Sequence, residues 1–389
     1  MNNKLLIAGL LVAMILASCT PAPTAVPSTI PSTPTLETIP TATISIRPSQ
    51  TPNKKTGMVI EPYQDVRFKN LSMVNAGLGE SLIKTLWFNE STVWLEPDQQ
   101  TAQNILQLGM NPGLGIRDLH AAGITGKGVN VAIIDQNMIL DHPEFKGKIV
   151  KYRDVGTDMP PDQGSMHGPA VTSLFVGENI GTAPDANVYY AAAPSWKGDA
   201  QYYADALNWI LDENETLPEG HKIRVVSVSA APSGPGSPFT LHHDAWEVAY
   251  GRAIQAGILV LDCTTHRGIT APCYYDLHDP DNVGKCIPGY PDMVNRPMSD
   301  RIYIPTSLRT TAEEYNQGVF SYQYDGQGGL SWTVPYLSGV LALGWQIRPD
   351  LSNSEILNLL FTSAHRTEDG LFVINPKAFI ELIRSMNDK

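Results

Sequence analysis

Cysteine is scarce in this chain of 389 residues, numbering four, and no pair of them has the close spacing of a zinc ligand set. His242-His243 is the one histidine pair, but no HExxH accompanies it, and its place at the start of a helical stretch accounts for it without a metal. No glycine-rich phosphate loop is present, which removes the nucleotide-dependent enzymes that share α/β folds. The formal charge of −12 comes with no basic cluster. Nucleic acid and electrostatic adhesion to anionic lipid are therefore both disfavoured. Beyond the N-terminus there is no internal repeat and no further apolar run of membrane-spanning length.

What is present begins with a lysine, an uncharged apolar run and small residues, MNNKLLIAGLLVAMILASCT. That is the layout of a secretory signal, and the run falls short of the ~20 residues a membrane span needs. Leu16-Ala17-Ser18-Cys19 resembles a bacterial lipobox, which implies cleavage before Cys19 and attachment of lipid to it. From there to Lys55 the chain is mostly Pro, Thr and Ser, a composition that cannot bury enough surface to order itself. The expected organisation is a signal at 1–18, a lipid-anchored tether at 19–55, an N-terminal extension at 56–110 and a catalytic domain at 111–389. The expected location is the outer face of a cell membrane. In the extension, alternation from Thr85 to Leu95 predicts one or two strands, packed permanently on the domain or forming a removable propeptide.

Apolar runs end at Ile134, Ala191, Val228 and Leu261, separated by helical stretches such as Ala245–Gln255. Strands alternating with helices predict a doubly wound, mainly parallel α/β sheet with helices on both faces. In such sheets, sites form beyond the carboxyl ends of the strands. Ser352 with Glu355 forms a capping-box pattern, and Asn375-Pro376 opens a last helix.

Three segments then stand out. VNVAIID ends at Asp135, SMHGPA surrounds His167, and GGLSWTVP surrounds Ser331 at the head of an apolar helix from Trp332 to Gln346. Serine is a poor nucleophile until a histidine takes its proton, and that histidine needs a carboxylate to fix its tautomer. A serine at a helix start also turns backbone N–H groups toward a developing oxyanion.

In the order Asp, His, Ser these segments resemble the subtilisin-like serine proteases over roughly residues 110 to 380. GITGKGVNVAIID with DHPEF, His167-Gly168, and the Gly, Ser and Pro of Gly329–Pro335 carry the likeness, supported by Gly181-Thr182-Ala183-Pro184. The resemblance implies a serine endopeptidase with Asp135, His167 and Ser331 as its triad, polypeptide substrates and a monomeric body. Ser229, Ala230 and Ala231 are implied as an edge that pairs with extended peptide, with Pro232 removing one donor beside it. Departures are also plain. Gln136-Asn137 replaces a small residue and glycine, where asparagine is expected to supply the left-handed turn. The oxyanion asparagine is missing, and His266 or Thr265 is the candidate replacement. A catalytically weak or silent peptide-binding lipoprotein is the alternative reading.

No organic cofactor is expected. Asp276, Asp279 and Asp281 could hold calcium, which many family members bind, though their spacing fits a solvated acidic turn better. Cys273 and Cys286 could pair across that loop, whereas Cys263, in GILVLDC, reads as a buried thiol.

Overall fold

The computed structural model describes residues 58–291 and 298–386. The expected signal, Cys19 and the expected tether lie outside these described residues. These described residues form one compact unit.

The extension contributes a single turn of helix at Glu80–Ile83, a three-residue strand, β1 (Trp87–Asn89), and a longer helix, α1 (Glu96–Gly109). Alternation across Thr85–Leu95 thus yields one strand and a turn. Thr92 closes that turn, its backbone N–H reaching the Asn89 carbonyl at 3.0 Å. After α2 (Ile116–Ala121) comes β2 (Asn130–Asp135), buried at all its positions. Its side chains alternate between two apolar layers: Val131 and Ile133 enter one, Ala132 and Ile134 the other. That is why the run reads as continuously apolar.

Next come β3 (Ile149–Asp154), α3 (His167–Val176), β4 (Asn187–Ala192), α4 (Gln201–Thr216), β5 (Ile223–Val228), α5 (His243–Gln255) and β6 (Leu259–Asp262). Together the strands form a parallel sheet ordered β3-β4-β2-β5-β6. The doubly wound expectation holds. Strand order reverses around β2, so its carboxyl end opens at the topological switch point, where a crevice forms.

Two smaller sheets complete the fold. One, ordered β12-β13-β9-β7-β8, contains β7 (Thr270–Tyr274), β8 (Ile287–Pro288), β9 (Ile302–Pro305), β12 (His365–Arg366) and β13 (Phe372–Val373). The other joins β10 (Arg309–Glu313) and β11 (Ser321–Asp325) to β1, so the extension shares backbone hydrogen bonds with the C-terminal half. Helix α6 (Thr333–Ile347) is buried from Thr333 to Trp345. It approaches the loop after α3 closely enough that a Cβ on Gly339 would lie 1.7 Å from Thr182 Oγ1. Helices α7 (Asn353–Ser363) and α8 (Pro376–Ser385) start as their sequences indicate, with a complete Ser352/Glu355 capping box and with Asn375 accepting from the Ala378 N–H.

Candidate active site

Asp135 ends β2 and is almost wholly buried. Its Oδ1 lies 2.7 Å from Nδ1 of His167, the first residue of α3, and also accepts the Gln136 N–H at 2.8 Å. Gly168 makes this approach possible. A Cβ there would fall 2.5 Å from the Gln136 carbonyl and 2.8 Å from the Tyr190 hydroxyl. The Tyr190 phenol itself donates to the Gln136 carbonyl and so supports the turn beneath the carboxylate.

Asn137 does not take the left-handed conformation expected of it; it is absent from the non-glycine residues with positive φ. The turn is held by side-chain hydrogen bonds instead. Asn137 Nδ2 donates to the Gln163 carbonyl at 2.8 Å, and the Ser165 N–H and hydroxyl both reach the Asn137 carbonyl. These contacts tie the loop before His167 to the loop after Asp135.

Burial pulls the His167 pKa down, but the Asp135 charge and hydrogen bond outweigh it and leave the imidazole more basic than its ordinary value of 6.5. With Nδ1–H donated to the carboxylate, Nε2 carries the free lone pair. Its ring stacks on Trp332, centroids 5.4 Å apart and planes 27° from parallel.

Ser331 sits one residue earlier relative to α6 than its sequence suggests. It is the middle of a 3₁₀ turn, Leu330–Trp332, and the α-helix begins at Thr333. Pro335 is therefore the third helical residue, where its missing N–H still costs no intrahelical bond. The Ser331 hydroxyl donates to the Ser229 carbonyl at 3.3 Å, and the Ser229 hydroxyl donates to the Ser331 carbonyl at 2.8 Å. This reciprocal clasp joins the end of β5 to the serine turn. Among the described residues no hydrogen bond links Ser331 to His167.

Along the candidate peptide edge, the Ala230 carbonyl accepts the Cys263 N–H at 2.9 Å and the Ala231 carbonyl accepts the Ser237 hydroxyl at 2.6 Å. Both are engaged within the chain. Neither candidate oxyanion donor points to Ser331. Thr265 donates its hydroxyl to the Pro235 carbonyl at 2.9 Å, and the His266 ring lies over Gly234, its Nε2 3.9 Å from Glu247. The cause is an ion network that sequence reading passed over. Arg267 bridges Glu247 and Asp262, stacks over Tyr250, and so fixes the turn after β6. A further unforeseen group is Tyr290, whose phenol meets the Leu330 backbone N–H beside the serine and is pushed up to about 12, chiefly by burial.

The remaining candidates lie elsewhere. Asp276 and Asp279 both contact Lys285, at 3.0 and 2.9 Å, while Asp281 accepts the Gly115 N–H at 2.8 Å. His242 caps α5 and lies 2.8 Å from Asp199. Cys273 and Cys286 are buried free thiols, and Cys263 is only partly buried. Burial, reinforced by the nearby Asp262 and Asp135 carboxylates, pushes the Cys263 thiol far up, which removes it as a nucleophile.

Comparison with known proteins gives a consistent picture. The model of the subtilase family matches residues 126–288. The chain is 23% identical to the subtilisin-like protease PopC of Myxococcus xanthus over 67% of this chain and 62% of PopC. It is 22% identical to subtilisin NAT of Bacillus subtilis subsp. natto over 80% of this chain and 81% of that protein. The chain thus spans less than two thirds of PopC. Among solved structures, fervidolysin from Fervidobacterium pennivorans, described as a keratinolytic enzyme related to subtilisin, superposes with a TM-score of 0.52 at 15% identity, covering 69% of this chain and 44% of that one. That likeness supports the fold.

Proposed function

We propose, from the match of the subtilase-family model to residues 126–288, that this chain is a serine endopeptidase in which Ser331 is the nucleophile, His167 the general base and Asp135 the residue that orients it. The observation that carries this reading is the 2.7 Å contact between Asp135 Oδ1 and His167 Nδ1 at the switch point of the parallel sheet. It fixes the tautomer that leaves Nε2 as proton acceptor. Turning about χ1, a picosecond-to-nanosecond motion, releases the Ser331 hydroxyl from the Ser229 carbonyl and gives up one long hydrogen bond.

In the reaction, Ser331 Oγ bonds to the scissile carbonyl carbon as its proton passes to Nε2. His167 then returns that proton to the leaving amine as the C–N bond breaks, and water releases the acyl group by the same path. The Ser331 N–H provides half of the oxyanion hole. Thr265 and His266, held by their own contacts, are poor candidates for the other half. The Ser229–Ala231 edge is the proposed seat of the peptide, and anchoring at Cys19 would hold the domain outside the cytoplasm.

A fluorophosphonate probe on purified protein tests the assignment. Labelling that disappears in Ser331→Ala supports it; labelling that survives the substitution points to another nucleophile and overturns it. Absent labelling on folded wild-type protein favours the peptide-binding alternative, for which the engagement of the Thr265 hydroxyl by the Pro235 carbonyl speaks. Incorporation of labelled fatty acid, lost in Cys19→Ala, tests the anchor.

A further inference from the structure

The residue following the candidate nucleophile is a tryptophan whose large side chain packs into the site itself. Trp332 is 5% exposed and its indole is offset-stacked on the His167 imidazole. At the Nδ1 edge of that imidazole lies Asp135. The ring of His167 is therefore held by a carboxylate at one nitrogen and by an aromatic ring stacked on it. We propose that Trp332 is a positioning residue, whose indole face keeps the His167 imidazole aligned with Asp135 and shares the positive charge that arises when the imidazole takes a proton. This rests on the catalytic assignment above for its functional meaning, but not for its physics.

An aromatic face attracts a cation through its quadrupole, and the attraction grows when water is excluded. The charged and titratable groups around the pair are few. Asp135 faces His167 from β2, α3 has no acidic residue in its first turn, and the serine turn supplies none. Tyr190 on β4, Tyr203 on α4 and Cys263 after β6 surround the carboxylate, and burial pushes all three up, so they stay neutral while His167 titrates. Asp325 lies beside the indole of Trp332. Its carboxylate is held by the Gln327 and Gly328 N–H groups at 3.0 and 2.9 Å.

The test is an NMR titration of the His167 ring, assigned by its disappearance in His167→Gln. Trp332→Leu keeps apolar bulk over the imidazole but removes the quadrupole, and it should lower the His167 pKa by about half a unit, with Trp332→Phe restoring most of the difference. An unchanged His167 titration in Trp332→Leu overturns the proposal, because it reduces the indole to filler. Should that variant not fold, the wild-type chain serves. Its tryptophan emission should change across the His167 titration, by quenching of Trp332 next to an imidazolium, and the change should vanish in His167→Gln. Emission with the same pH dependence in both proteins overturns the proposal equally. Neither readout needs a substrate, so a protein that shows the coupling yet fails to label with fluorophosphonate would retain this inference and lose the peptidase assignment.

Discussion

His167 is subject to opposing influences of unequal size: burial favours the neutral ring, while the adjacent Asp135 carboxylate favours the charged one and prevails. Two consequences have opposite sign. Catalysis needs the neutral base, so kcat/KM should rise with pH through a limb that lies above 6.5, the ordinary histidine value. Stability goes the other way: the folded state binds this proton more tightly than the unfolded chain, so the contribution of the ion pair is complete below the unfolded pKa and fades as pH rises through the folded one. Asp135→Asn should shift the kinetic limb to lower pH and reduce kcat by roughly 10⁴, the loss expected when the tautomer is no longer fixed. A pH–rate profile of a peptide substrate measures both, and a limb at or below the ordinary value in the wild type would contradict the assigned role. His142 titrates in the contrary direction. It is completely buried between Phe145, Phe320 and Tyr322, with Nε2 donating to the Ser321 carbonyl and Nδ1 accepting the Glu144 N–H. Burial lowers its pKa, so the unfolded chain takes the proton first and stability falls as pH drops below 6.5. His142→Gln should flatten that part of the denaturation midpoint-versus-pH curve.

At the scale of elements, the contact between α3 and α6 sets the distance between the histidine and serine segments, because both helices begin at the site. Gly339 is where they are pinned, through the Thr182 side chain. Gly339→Ala leaves helix propensity better than before, yet the added methyl overlaps Thr182 Oγ1, and the variant should lose about 1 to 3 kcal/mol of stability by chemical denaturation. Much of this level was legible beforehand. β2 and β4 to β6 follow from short runs apolar on both faces, and the capping box of α7 from Ser352 and Glu355, because these signals are local. What escaped the sequence reading depends on partners distant along the chain. Arg267 fixes the turn after β6 through Glu247, twenty residues earlier, and thereby turns away the two residues chosen as oxyanion donors. Asn137 avoids a left-handed backbone because Gln163 and Ser165 provide the hydrogen bonds that a tight turn would otherwise need. The stacking of Trp332 on His167 joins positions whose proximity no residue spacing encodes.

For the molecule as a whole, the open question was the fate of the extension, removable propeptide or permanent layer, and packing supplies an argument. Val66, Leu71, Ile83, Leu86 and Phe88 are almost completely buried, in the same apolar cluster as α3 and α6. Burying a large apolar side chain is worth about 1.5 to 3 kcal/mol, so these five together match the roughly 5 to 15 kcal/mol that keeps a typical domain folded. β1 adds backbone hydrogen bonds to β11, and Arg67, stacked over Trp87, reaches Gln323 at 3.0 Å. Cutting this layer away would expose both an apolar face and a sheet edge, a combination that promotes aggregation. Mass spectrometry of the purified, folded protein should therefore recover peptides from residues 58–110, and a chain starting at residue 111 should be insoluble or unfold far below the full chain's midpoint. A fragment lacking the layer that stays monomeric and hydrolyses peptides would show instead that the catalytic body stands on its own and that the extension is a detachable folding aid.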